Sequence, residues 1–202
     1  LEQESAERLG KEAALFVPTG TMANSIAIGP LTRPGDEMLL MEDSHIYLYE
    51  AGGSSRLWGV HPHPLPSVAG CLDADAIASS IRPDDPHQPH TSLICLENTH
   101  NMCGGRVITP EQIAPVAQAA REHRLKMHLD GARLFHAEVA LGIPAAQLAA
   151  EFDSVSFCLS KGLSCPVGSL LCGSAEQIAE GRRLRKLLGG GMRQVGVLAA
   201  PG

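Results

Sequence analysis

Apolar residues along this chain fall in short runs of about five, separated by longer stretches where apolar and polar residues mix at helical spacing. The short runs at 13–17, 38–41, 92–96, 126–130, 154–159 and 167–172 predict strands, with a further extended segment at 60–66. Helices are predicted at 1–9, stopped by Gly10, and at 22–28. Others are predicted at 73–81 with Asp73 as N-cap, at 109–123 with Thr109 as N-cap and Pro110 in the first turn, at 144–150 and at 174–188. No element is assigned between 130 and 144. This alternation indicates an α/β fold, a three-layer α/β/α domain with a mostly parallel sheet. Only a short turn precedes the strand at 167–172, so that strand is expected to run antiparallel.

Several of these strands end in polar residues. The run 154–159 stops at Ser160-Lys161-Gly162, which puts a lysine at a strand's exit with a small residue behind it. A lysine desolvated by apolar surroundings loses its proton more easily and forms a Schiff base with an aldehyde; one that reaches the surface does neither. The run 126–130 ends in Asp130, followed by Gly131-Ala132-Arg133. Asp130 before Gly131 is also an ordinary turn pair. Open α/β sheets bind ligands at the carboxyl ends of their strands, so Asp130, Arg133 and Lys161 are expected in one crevice. A carboxylate facing a lysine that holds an aldehyde cofactor suits pyridoxal 5'-phosphate, whose ring nitrogen must stay protonated to draw in electrons. Gly20 and Thr21 sit where the first strand turns into a helix, a place suited to phosphate or to simple capping. His45 and Glu50 follow the second strand, and Glu97 to Asn101, including His100, follow the run 92–96.

The chain has 202 residues, 44% hydrophobic and 19% charged, with a formal net charge of −6. That suits one compact domain, argues against nucleic acid as a partner, and offers no apolar run near the ~20 residues of a membrane span. Six cysteines, at 71, 95, 103, 158, 165 and 172, form no Cys-x-x-Cys pair and predict reduced thiols in a cytoplasmic setting. His61/His63 and His87/His90 lie in proline-stiffened segments without acidic or thiol ligands at metal spacing, so no metal is expected. Leu1 falls inside a helix and 199–202 begin another, so the expected unit is a cofactor-binding large domain, 1–202, cut at both ends.

Six segments together carry a more specific signal: Pro18-Thr-Gly-Thr-Met-Ala-Asn24, His45-Ile-Tyr-Leu-Tyr-Glu50-Ala-Gly-Gly53, Leu96-Glu-Asn-Thr-His100-Asn101, His128-Leu-Asp130-Gly-Ala-Arg133, Leu159-Ser-Lys161-Gly-Leu163 and Gly190-Gly-Met-Arg193-Gln194. In this order they closely resemble the low-specificity L-threonine aldolases, pyridoxal-phosphate enzymes with the aspartate-aminotransferase-like fold. The resemblance implies retro-aldol cleavage of L-threonine or L-allo-threonine, a β-hydroxy amino acid, to glycine and acetaldehyde. It implies that Lys161 carries the cofactor, that Asp130 pairs with its ring nitrogen, and that Gly20, Thr21 and Arg193 bind its phosphate. By the same resemblance His45 stacks on the ring, His100 lies near the substrate hydroxyl, and Arg133 sits beside the cofactor and helps hold the substrate carboxylate; His45 or His100 is the candidate base for the β-hydroxyl proton. Glu50 and Lys186 are further candidates for the substrate site. A homodimer or homotetramer with shared active sites is implied, with Arg193 reaching a neighbour's phosphate. An N-terminal serine segment and a C-terminal small domain of that family are expected to lie outside these residues. Two alternatives stay open: a β-eliminating lyase of the same fold, and an inactive truncated homologue.

Overall fold

The computed structural model describes residues 1–202. Seven strands form one sheet: β1 (Ala13–Val17), β2 (Glu37–Met41), β3 (His61–Leu65), β4 (Thr91–Glu97), β5 (Lys126–Asp130), β6 (Ser154–Cys158) and β7 (Ser169–Gly173). Their spatial order is β1-β7-β6-β5-β4-β2-β3. β7 runs antiparallel to both of its neighbours, as its short connection predicts, and the other pairs are parallel. The helices are α1 (Glu2–Leu9), α2 (Gly20–Leu31), α3 (His45–Leu48), α4 (Gly53–Trp58), α5 (Ala74–Ser80), α6 (Pro110–His123), α7 (Leu134–Leu141), α8 (Ala145–Ala149), α9 (Ala175–Leu187) and α10 (Gly196–Ala199). No helix is long and apolar enough to cross a membrane.

Strands β2 and β4 are apolar on both faces because helices cover both. Along β2, Leu39 and Met41 join the large cluster with Ala6 of α1, Ile77 of α5 and Ile113 of α6. Met38 and Leu40 point the other way, to Ile28 and Leu31 of α2. Leu15, Val17 and Leu171 pack with Ala23 and Ile26 of α2 and Ile178 of α9. Each such fully buried Leu or Ile contributes about 1.5–3 kcal/mol of transfer free energy.

Helix ends follow local chemistry. Gly10 closes α1 in the left-handed conformation, φ 63°. The Asp73 carboxylate accepts from the backbone N–H of Asp75 and Ala76, and Ser174 and Gln177 form a reciprocal capping box at α9. α7, unassigned from the sequence, starts at Arg133 without a side-chain cap, and its residues are nearly all apolar or small. It lacks both the capping signal and the polar face by which a surface helix is recognised. α3 and α4 are one or two turns long, too short for periodicity to show.

Candidate active site

A crevice of about 300 Å³ opens at the carboxyl ends of the strands, with Gly20, Thr21, Asn24, His45, Glu50, Asp130 and Lys161 among its lining residues. At one wall β1 turns through Pro18 and Thr19 into α2. The Thr19 hydroxyl accepts from Met22 N at 3.2 Å and the Thr19 carbonyl from Ala23 N at 3.1 Å. The N–H groups of Gly20 and Thr21, in the helix's first turn, have no intrahelical acceptor. Gly20 is required by close approach, since a Cβ there would sit 2.9 Å from Cys158 Sγ.

The floor is a hydrogen-bonded network set by strand register. Period-two alternation puts His128 and Asp130 on one face of β5, and Ser154 and Ser156 on the same face of β6. The parallel register then pairs His128 with Ser154 and Asp130 with Ser156. Asn24 of α2 lies across them. Its Nδ2 donates to Asp130 Oδ2 and to Glu50 Oε1, both at 2.8 Å, and its Oδ1 accepts from Ser156 Oγ at 2.7 Å and from His128 Nε2 at 3.2 Å. Two carboxylate neighbours fix the amide with its nitrogen toward them. His128 is therefore protonated on Nε2 and accepts from Ser154 Oγ at Nδ1, 2.8 Å away. Complete burial pushes its pKa down to about 4, so it stays neutral. Asp130 Oδ1 accepts from Ala132 N at 3.1 Å.

Charge is unbalanced here. Glu50, Glu97 and Asp130 are all buried, and none forms an ion pair with lysine or arginine. Burial raises the pKa of Glu50, partly offset by hydrogen bonds from His45 and Asn24, and burial followed by repulsion from Asp130 raises that of Glu97. His45 Nδ1 lies 3.1 Å from Glu50 Oε1. That bond raises the His45 pKa, against the opposing effect of burial. Glu97 accepts from His45 N at 2.7 Å and from Asn101 N at 2.9 Å, tying together the exits of β2 and β4.

The family model for beta-eliminating lyases matches residues 1–202. The chain belongs to the beta-eliminating lyase family. It is 51% identical to the "Probable low-specificity L-threonine aldolase 2" of Arabidopsis thaliana, over 99% of this chain and 58% of that one. It is 46% identical to the low specificity L-threonine aldolase of Escherichia coli O157:H7, over 100% of this chain and 60% of that one. The chain thus spans about three-fifths of these relatives. The solved structure of Leishmania major threonine aldolase superposes with a TM-score of 0.82 at 24% identity, covering 93% of this chain and 55% of that chain, a likeness that shows the fold.

Within this lyase-family fold, the structure brings Gly20, Thr21, His45, Glu50, Asp130 and Lys161 into one crevice. Lys161 is exposed in this chain, the surface-reaching one of the two outcomes the sequence left open. The loop carrying it is anchored where Leu159 N and Ser160 N donate to Gly168 O and where Cys165 N donates to Leu159 O. Arg133 lines an adjoining recess that shares Ala132 and Cys158 with the crevice, and its Nη1 donates to Asn101 Oδ1 at 3.0 Å. His100 does not line the crevice. It is fully buried with Nε2 3.2 Å from Asp43 Oδ1, because the chain turns inward after β4. Lys186 and Arg193 are exposed outside the crevice. Sequence reasoning gave no role to Asn24, Ser156, His128 or Glu97. Their one signal was a polar residue inside an otherwise apolar strand or helix, which burial makes costly unless it is paired.

Proposed function

We propose that this chain forms the cofactor-binding part of a pyridoxal-phosphate-dependent aldolase that cleaves L-threonine or L-allo-threonine to glycine and acetaldehyde. The observation that carries this is the Asp130 carboxylate, buried, aligned by Asn24 and Ala132, and facing a crevice that also holds Lys161. The residues fit the cofactor on structural grounds. Three buried carboxylates with no lysine or arginine partner, and only His45 beside Glu50, favour a ring that carries a proton, and the free N–H groups at the start of α2 favour its phosphate.

Lys161 Nζ would hold the cofactor's aldehyde carbon, and Asp130 would keep the proton on the ring nitrogen. Gly20 N–H, Thr21 N–H and the Thr21 hydroxyl would bind the phosphate. Bound pyridoxal phosphate supplies an electron sink for the charge released when Cα–Cβ breaks. His45, with its pKa raised by Glu50 and its ring at the crevice wall, takes the β-hydroxyl proton as the aldehyde forms. His100 has no access to that proton in this fold. Arg133, at the recess beside the crevice, receives the substrate carboxylate. The relatives named above as threonine aldolases support this reading over β-elimination. The test is product analysis of the purified, cofactor-loaded protein. Glycine and acetaldehyde from L-threonine or L-allo-threonine are expected; ammonia and a 2-oxo acid from cysteine conjugates, without aldol cleavage, would overturn the assignment.

The active form is further proposed to be a homodimer or homotetramer in which Arg193 completes the phosphate site of a partner. A Cβ at Gly190 would lie 2.4 Å from Met22 Sδ, so the glycine run passes tightly against the start of α2. Arg193 just beyond it is exposed, with no ion pair in its own chain. Mixing inactive Lys161→Ala and Arg193→Ala variants is expected to restore partial activity in hybrids. No recovery despite proven subunit exchange would count against the shared site.

A further inference from the structure

Behind the crevice wall lies a second cluster that the aldolase chemistry does not use. Asp43 follows β2, and His100 and Cys103 lie on the turn after β4. His100 is fully buried, and neither ring nitrogen has a partner in hydrogen-bond geometry; the same holds for Asp43 Oδ1. Yet Nε2 and Oδ1 are only 3.2 Å apart, so both face the same small volume without bonding to each other. Cys103 Sγ lies 3.4 Å from Asp43 Oδ2. One ligand atom from each of the three residues falls within 4.8 Å of the others.

We propose that Asp43, His100 and Cys103 form a binding site for one divalent metal ion of the zinc type. Bonds of about 2.0–2.3 Å in a tetrahedral site put neighbouring ligand atoms about 3.3–3.8 Å apart. The His100 and Cys103 separations from the two Asp43 oxygens, 3.2 and 3.4 Å, are close to that, and one ligand atom from each residue lies within 4.8 Å of the others. An imidazole, a thiolate and a carboxylate select zinc over magnesium or calcium, which prefer all-oxygen sites. A water completes the tetrahedron. Binding exchanges the Cys103 thiol proton for the metal and releases that proton to solvent.

The site is held in place before any metal arrives. His100 N donates to Arg106 O at 2.8 Å and Gly105 N donates to His100 O at 2.9 Å, so the turn folds Cys103 back toward Asp43. Gly104 and Gly105 take φ of 68° and 77° there, a conformation costly for other residues. Ser67 Oγ donates to Asp43 Oδ2 at 3.0 Å, orienting the carboxylate from outside. The three ligands are 57 and 3 residues apart in the chain, from 43 to 100 and from 100 to 103, so no sequence spacing announces them.

The test uses zinc and cobalt(II) salts on the purified protein. One zinc per chain is expected against a competing chromophoric chelator, and a thiolate-to-metal absorption band on cobalt loading. Cys103→Ser, at a half-buried position, should fold with an unchanged thermal midpoint, lose the band and weaken zinc binding about tenfold or more. No zinc uptake by the native protein would overturn the proposal. So would equal uptake by Cys103→Ser, which assigns the zinc to exposed histidines such as His61 and His87.

Discussion

The two ends of the parallel sheet both bury carboxylates beside histidines, yet they do opposite things with the charge. At the amino end of β2, Glu37 is fully buried and closed off. Arg82 Nε and Nη2 lie 3.4 Å from its oxygens, Thr91 Oγ1 donates at 3.2 Å, and His63 Nδ1 is 3.2 Å away. At the carboxyl end, Glu50, Glu97 and Asp130 receive hydrogen bonds from amides and from His45 but meet no guanidinium or ammonium. The first arrangement cancels its charge internally and leaves nothing for a ligand. The second keeps negative charge in a low-dielectric pocket that a cationic group can enter, and burial and mutual repulsion raise the pKa values of its glutamates. Buried charge marks a site only where its own fold leaves it uncompensated.

The comparison breaks most sharply at Asp130. Asp130→Asn keeps the shape but cannot hold a proton on a ring nitrogen, so kcat is expected to fall about 10²–10³-fold with the fold intact. Steady-state kinetics with an unchanged kcat would remove this carboxylate from the chemistry. Asn24→Ala comes next. It strips the donor from two carboxylates and the acceptor from His128 and Ser156, so a loss of about 3 kcal/mol in urea unfolding is expected together with a lower kcat. Arg82→Ala at the opposite end should lower stability by about 2–3 kcal/mol, because it leaves the fully buried Glu37 with only Thr91 and His63, while the 37% exposure of the arginine screens part of the pairing. Its kcat should not change; a large fall would show that the two ends are coupled.

The smallest effect is a titration. The Glu50 hydrogen bond raises the His45 pKa above 6.5, so the pair's contribution is fully present below about that pH and is lost as pH rises through the raised midpoint. In Glu50→Gln the His45 midpoint followed by NMR should move down toward 6.5. An unmoved midpoint would assign the shift to Asp130 instead.

The crevice was legible in the sequence to the extent that its residues follow strands. Thr21, His45, Asp130 and Lys161 each sit just past an apolar run, and the doubly wound topology gathers such positions. His100 obeys the same rule and fails it, because the turn from His100 to Arg106 folds the imidazole inward under Asp43. Lys161 obeys the rule, and of the two outcomes the sequence left open it takes the exposed one. Its flanking residues did not decide between the two.

By itself the sequence determined the strands, the capped helices and the layering, but not α3, α4 or α7, because five-residue apolar runs and capped amphipathic stretches are local patterns whose burial has few solutions. It also indicated that the exits of β1, β2, β5 and β6 meet at one crevice. Tertiary structure alone decided the partners: that Asn24 of α2 would span two strands to reach Asp130, and that Ser156 and His128 would share its carbonyl. It alone put Cys103 beside Asp43. Hydrogen bonds and metal ligation act over about 3 Å, and residues 60 or 106 positions apart come that close only once the sheet register and the helix packing are set.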